Sequence, residues 1–547
     1  MKKTNVWRGL SLVCALLLAF SLMAGTVLET YRTSVDAFFG TRSQTTVTEQ
    51  SEDEEDAWTY KSDFTTAQEA YEGFKEFAIR ASQETYALLK NENNALPLAS
   101  DAKITMLGVR SYAPVYSNSG GSVADGKSTV EIFDAFAERG FQLNPSTLAA
   151  YEAFFADKEW TTPQFGGGIL PQYNEITSYN DPCELTLDEL RALNPDFDKD
   201  YAEYSDAAIV VVGRSGGENG DGYYPGEEGL AEGVSTVTGN ILSLSDEEMA
   251  IIEEAKANFD KVIVLINATN QMEIANLQDD PDIDAILWIG YPGAYGFYGV
   301  ADVLNGTVSP SAHLGDTFAK NSALAPAMQN YGDIPWANAD DFSEAANVNS
   351  YLIEAEGIYT GYRYYETRYA DIVLGNGGAE ASAGTYANPD GTVATQDGTW
   401  DYANEVVYPF GYGLSYTKFG FKNAAVSANE AGSDGLDVTV DVTNEGSVAG
   451  RESVEVYVKA ERENTPNAQL KGLAKVELQP GETKQVKIHL PLAAFALCNE
   501  EGTPIVEAGS YSVYVGASQP DARSVALMGQ APAKLTVTQS ATQALDL

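Results

Sequence analysis

The chain has 547 residues, 44% of them hydrophobic, and a formal net charge of −46 from 79 acidic and 33 basic side chains. That length suggests roughly two to four domains, each able to bury a core. So negative a surface would repel a phosphate backbone, which sets nucleic acid aside as a partner.

The N-terminus carries the clearest local signal. Lys2, Lys3 and Arg8 precede an apolar run from Gly9 to Leu28. At about 1.5 Å per residue, such a run as a helix approaches the roughly 30 Å of a hydrocarbon core. Ala24 has Leu22 two positions before it, which fits signal-peptide cleavage poorly. The expectation is an uncleaved transmembrane signal-anchor over 9–28 in the cell membrane. Residues 1–8 would then be cytoplasmic and the bulk of the chain extracellular. Residues 29–64 follow as a Ser/Thr-rich tether containing the acidic run Ser51-Glu52-Asp53-Glu54-Glu55-Asp56, too polar to pack a core.

From 65 to 320 short apolar strands alternate with amphipathic helices. Lys103–Gly108, Asp206–Val212, Lys261–Asn267 and Asp284–Ile289 read as strands. A helix is expected over Ser128–Arg139, ended by Gly140. Another opens at the capping box Ser245-Asp246-Glu247-Glu248. This pattern predicts an α/β sandwich, a mostly parallel sheet covered by helices on both faces. Residues 321–417 are rich in Gly, Ala, Asn and Asp and read as an irregular arm and linker. From 418 to 540 the period changes to two. Leu436, Val438, Val440 and Val442 alternate with polar residues, as do Val454, Val456 and Val458, then Val486, Ile488 and Leu490, then Tyr511, Val513 and Val515. Turn residues separate these runs, predicting an all-β sandwich with a short tail over 541–547.

Three cysteines, Cys14, Cys183 and Cys498, show no metal-ligand spacing, so no structural zinc is expected. Gly213-Arg214-Ser215-Gly216-Gly217 matches a nucleophile elbow after a strand, but an elbow should enter a helix, and Glu218 to Gly229 is full of glycine and proline. The two histidines, His313 and His489, sit in a loop and in the alternating β pattern, so a serine-hydrolase triad is disfavoured. The same loop offers Glu218, Asp221, Glu227 and Glu228 just past a strand end, where ligands of parallel sheets gather. Paired carboxyl groups are what glycoside hydrolysis needs: one protonates the leaving oxygen and the other attacks C1 or activates water. In so acidic a chain, a solvated surface loop is the competing explanation. Tyr116, Asn118 and Ser119, in the loop after the first of these strands, have groups that hydrogen-bond sugar hydroxyls, although the segment also reads as a glycine-containing turn. Tyr291, Tyr295 and Phe297 are equally consistent with sugar stacking and with core packing.

Several stretches resemble glycoside hydrolase family 3, the family of β-glucosidases. They are Leu88–Leu98 (LLKNENNALPL), Gly357–Tyr364 (GIYTGYRY), Tyr408–Thr417 (YPFGYGLSYT), Asn444–Gly450 and Leu473–Glu482. Together they run from about Glu84 to Gly516, in the family's order. The resemblance implies the family's C-terminal α/β sandwich domain followed by a fibronectin type III-like domain. It implies a retaining, β-glucosidase-like glycosidase acting on carbohydrate, with no metal or organic cofactor. Gly213 to Asp221 is similar to the family's loop G-R-x-x-G-E-G-x-D. That likeness implies Glu218 as general acid/base, with Asp221 as runner-up and Arg214 among the substrate-binding residues. Asn219 stands where glycine is usual. No Ser-Asp-Trp-like nucleophile motif is found, so the resemblance implies a (β/α)8 barrel partner on a longer product or a separate chain. The order matches the front of a reversed domain layout. A catalytically inactive cell-surface carbohydrate-binding or scaffold protein is the alternative.

Overall fold

The computed structural model describes residues 2–30, 63–117, 129–156, 184–214, 242–322 and 405–545, apart from 463, 464 and 500, with short pieces between 325 and 395. Residues 1–71 and 72–547 form separate compact units.

In the first unit, helix α1 (Lys2–Thr30) covers the N-terminal apolar run. Among the described residues no helix is long and apolar enough to cross a membrane. This overturns the transmembrane helix, and with it the signal-anchor and the single-pass membrane localisation. Ser11, Ser21, Gly25 and Thr26 interrupt the run. The acidic run of the expected tether lies outside the described residues.

Among the described residues of the second unit, six strands build one sheet: β1 (Ala87–Asn91), β2 (Lys103–Leu107), β3 (Gln142–Leu143), β4 (Ala207–Gly213), β5 (Val262–Asn267) and β6 (Ala285–Trp288). Their order is β1-β6-β5-β4-β2-β3. All neighbours are parallel except β1, which runs antiparallel along β6 as an edge. Every side chain of β4 and β5 is buried, because successive residues point to opposite faces and both faces are covered. Ala208, Val210 and Val212 join one core with Val264 and Ile266. Ala207, Ile209 and Val211 join the other with Ile263 and Leu265. Helices Ile132–Glu138, Pro145–Phe155, Leu187–Leu193, Asp246–Asn258 and Gly296–Leu304 lie among the connections. The expected strands and the capping box at Ser245 are present, within a residue or two at each end. The edge strand β1 comes from LLKNENNALPL, whose apolar run is too short to announce a strand by its own periodicity.

The α/β sandwich and the fibronectin-like architecture both match expectation. The second is built from a three-stranded sheet (Phe419–Val426, Leu436–Asn444, Thr483–Leu490) facing a four-stranded one (Gln469–Leu478, Gly450–Ala460, Gly509–Gly516, Ala533–Gln539). Leu436, Val438, Val440 and Val442 enter its core together with Val454, Val456, Val513 and Val515. Most of the 321–417 arm lies outside the described residues. Cys498 is an exposed free thiol, and Cys183 falls outside.

Candidate active site

The carboxyl ends of β2, β4, β5 and β6 meet at one edge of the sheet, where parallel α/β folds gather ligands. Each strand leaves by a loop, and buried polar groups hold the roots of those loops.

After β2, Gly108 takes φ +90°, and a Cβ there would come within 2.6 Å of the Val211 carbonyl oxygen. Only glycine combines that backbone with that approach. Its N–H donates to the Tyr151 hydroxyl at 2.7 Å. The Glu184 carboxyl then accepts from Val109 N at 2.8 Å and from Leu185 N at 2.9 Å. Burial pushes the Glu184 carboxyl up to about 8, against the opposing pull of those two N–H groups and of Arg110.

After β4 stands Arg214, 1% exposed. Its Nη1 donates to Glu248 Oε1 at 2.6 Å and its Nη2 to Glu248 Oε2 at 2.7 Å. The same two nitrogens reach the Gly213 carbonyl at 2.8 Å and the Ser243 carbonyl at 2.7 Å. Arg214 therefore ties Gly213, at the end of β4, to Ser243, just past the point where the described chain resumes. Glu248 also caps a helix: it is the third residue of Asp246–Asn258, and its Oε2 accepts from Ser245 N at 2.9 Å to complete the capping box.

After β5, the Asn267 side chain bonds Val115 and Gly290, in the loops after β2 and β6. Tyr291 donates its hydroxyl to the Arg214 carbonyl at 3.1 Å. Tyr116 is 5% exposed, set edge-on to Phe297 with ring centroids 5.4 Å apart. Its carbonyl accepts from Gly293 N at 2.7 Å. Burial holds its hydroxyl proton well above the ordinary phenol range. Tyr295 and Phe297 are buried in the core, whereas Tyr291 is half-buried at the strand edge.

Of the residues singled out from the sequence, the structure brings Arg214 and Tyr116 to this edge. Glu218, Asp221, Glu227, Glu228, Asn118, Ser119 and Ser215 lie outside the described residues. Sequence reasoning missed Glu184, Glu248 and Asn267 as parts of the site. Asn267 did leave a signal, a carboxamide closing the otherwise apolar strand KVIVLIN. Glu184 left none. Neither histidine faces this edge through its bonds. His489 is exposed and pairs with Asp437, while buried His313 bonds Glu452 and Glu455 of the fibronectin-like sandwich.

The glycosyl hydrolase family 3 C-terminal domain matches residues 86–416, and a fibronectin type III-like domain matches 452–519. The chain is 29% identical over 466 residues to a beta-glucosidase of Ruminococcus albus, covering 82% of this chain and 40% of that enzyme. It is 27% identical over 458 residues to an exo-alpha-(1->6)-L-arabinopyranosidase of Bifidobacterium longum, covering 82% and 47%. Among solved structures, a beta-glucosidase from Paenibacillus barengoltzii superposes with a TM-score of 0.63 at 28% identity, over 87% of this chain and 44% of that one. The chain thus spans about half the length, or less, of the relatives it matches. With that family domain matched over residues 86–416, more than half of the chain, and the β-sandwich following in order, this chain belongs to glycosyl hydrolase family 3.

Proposed function

We propose that this chain provides the acid/base half of a retaining family 3 glycosidase, with Glu218 as the acid/base and a (β/α)8 barrel, on a longer product or a separate chain, as the source of the nucleophile. The observation that carries this reading is the buried Arg214–Glu248 pair, which roots both ends of the loop bearing Glu218 at the ligand-gathering edge of a family 3 domain. Glu218 would protonate the glycosidic oxygen as the C1–O bond breaks, while the barrel carboxylate bonds C1. It would then take a proton from the water that displaces that carboxylate. Asp221 is the runner-up. Arg214 would serve by holding the loop, since both its Nη nitrogens are directed to Glu248 and to two carbonyls. The substrate would be a glycoside with an exo-terminal sugar. The relatives' names include both a beta-glucosidase and an arabinopyranosidase, so the sugar itself is left to the assay.

The test is hydrolysis of aryl β-glucosides and α-L-arabinopyranosides by the protein alone and with a family 3 barrel domain added. Glu218→Gln should lower turnover by about 10²–10⁴-fold on substrates whose leaving group needs protonation. It should matter little for an activated aryl leaving group in the first step. Full turnover of the unactivated substrate by Glu218→Gln would remove Glu218 from the role.

A further inference from the structure

At the sheet edge where β2, β4, β5 and β6 end, one residue bonds three of the departing loops. Asn267 is fully buried. Its Oδ1 accepts from Val115 N at 2.6 Å, and its Nδ2 donates to Val115 O at 2.9 Å and to Gly290 O at 2.7 Å. Both amide protons and the amide oxygen are therefore used. Its backbone carbonyl accepts from Arg214 N at 3.2 Å. One residue thus bonds the loops after β2, β4 and β6. Two cross-ties link those loops directly: Gly293 N donates to Tyr116 O at 2.7 Å, and the Tyr291 hydroxyl donates to Arg214 O at 3.1 Å. There is no room for slack beside it. A Cβ on Gly213, the register partner of Asn267, would lie 2.9 Å from the Asn267 carbonyl oxygen.

A merely buried amide needs partners, but it does not need them on separate loops. Here the partners are divided between the loops after β2 and β6, and the backbone of the same residue takes the third. We propose that Asn267 is a positioning residue for the reaction: it fixes Arg214, where the acid-bearing loop departs, against the loops of Tyr116 and Tyr291. This proposal rests on the reading of Glu218 as the acid/base, but the coupling of the three loops can be read without it. The chemistry is specific to a carboxamide. Ionised aspartate keeps the acceptor and loses both donors, facing two carbonyl oxygens with a negative charge. Protonated aspartate recovers one donor.

The experiment is amide hydrogen exchange on the full chain for the unmodified protein, Asn267→Asp and Val264→Ala, each compared at matched pH. Val264 is buried in the same strand and bonds none of these loops through its side chain. At pH 8, Asn267→Asp should speed exchange at Val115, Arg214 and Gly293 together by at least about tenfold, the size of losing one buried hydrogen bond, since both donor bonds are lost. At pH 5 the protection should return in part. Val264→Ala should reproduce neither effect. If Asn267→Asp does not fold, Asn267→Ser should speed exchange at the same three amides at both pH values, since its hydroxyl cannot span both loops and does not titrate. Faster exchange at Val115 alone, or the same pattern in Val264→Ala, would overturn the coupling. With a barrel domain supplied, Asn267→Asp should lower kcat far more than it raises KM, with kcat recovering in part at lower pH. Unchanged kcat in an otherwise active enzyme would overturn the positioning role. An inactive unmodified protein would count against the Glu218 reading and leave the exchange result standing.

Discussion

Arg214 and Glu248 bury opposite charges at 1% and 2% side-chain exposure, with two short bonds between them. Removing both charges from water costs several kcal/mol per ion, so the pair is not a simple gain in stability. Its value lies in the pairing of both charges: each carboxylate oxygen has a guanidinium nitrogen, and the same two nitrogens also bond carbonyls. Truncating one partner leaves the other charge buried and unpaired. Arg214→Met should therefore lower the urea-unfolding free energy by about 3–5 kcal/mol. The double variant Arg214→Met/Glu248→Leu should recover much of that loss, because no lone charge remains inside. A double variant no more stable than Arg214→Met would show that loop closure through Ser243, and not charge burial, sets the cost.

The helix Asp246–Asn258 was legible because its start is written locally. Ser245 accepts from Glu248 N at 3.2 Å, the Glu248 side chain accepts in return from Ser245 N, and three acidic residues occupy the first turn. Acidic side chains there meet the positive end of the helix dipole. Ser245→Ala should cost about 1 kcal/mol in equilibrium unfolding. It should also loosen Glu248 and with it Arg214, so the loss should exceed that of Thr186→Ala, whose capping box sits on an exposed helix start. Equal losses would mean that the cap and the ion pair are independent. The strands were legible for a different reason. β4 and β5 are continuous apolar runs, as strands covered on both faces must be, while Leu436–Asn444 alternates strictly because one of its faces meets solvent. Nothing in that one-dimensional pattern says which polar residue will meet which. Glu248 announced itself as a helix cap, and its pairing with Arg214, 34 positions earlier, depended on how the strand and helix pack.

The two domains of the second unit are joined by polar contacts along their boundary, several of them half-buried. Glu84 pairs with Arg451 and Lys475, Leu470 N donates to the Tyr362 hydroxyl at 3.1 Å, and Gln519 and Arg523 donate to the carbonyls of Phe410 and Val407. Leu527 and Met528 pack against the core of the α/β sandwich although they follow most of the fibronectin-like strands. At the centre, His313 holds Glu452 and Glu455 at 3.0 Å each, and Tyr457 donates to Glu455 at 2.6 Å. Burial alone would lower the imidazole, but its bonds to Glu452 and Glu455 outweigh this and push it up to about 10. Its ordinary value is 6.5, so the stability it contributes is fully present below that pH. It declines as pH rises and is gone above about 10. Burial raises Glu455 as well. That shift acts in the same direction, since ionising this carboxyl costs more in the folded state. His313→Gln should therefore lower the Tm most below about pH 6.5, with the gap closing toward about pH 10. A gap independent of pH would mean that His313 acts by shape and neutral hydrogen bonding.

The order of elements, the change of period from α/β to all-β, the helix caps and the family motifs were all written in the sequence, because each depends on neighbours within a few residues or on a repeating pattern of burial. The N-terminal run shows the limit of that reading, since counting apolar residues overlooked the serines and glycine that divide them. The parts of the site that only tertiary structure decided are those whose partners are far apart in the chain. Asn267 reaches back to Val115, and Glu184 caps the turn at Val109. Arg214 meets Glu248, and His313 meets two glutamates of another domain. Such contacts exist only once the sheet brings its strand ends to one edge and the two domains close on each other. There, low water access makes an unpaired buried donor or acceptor costly, so partners distant in the chain are drawn together.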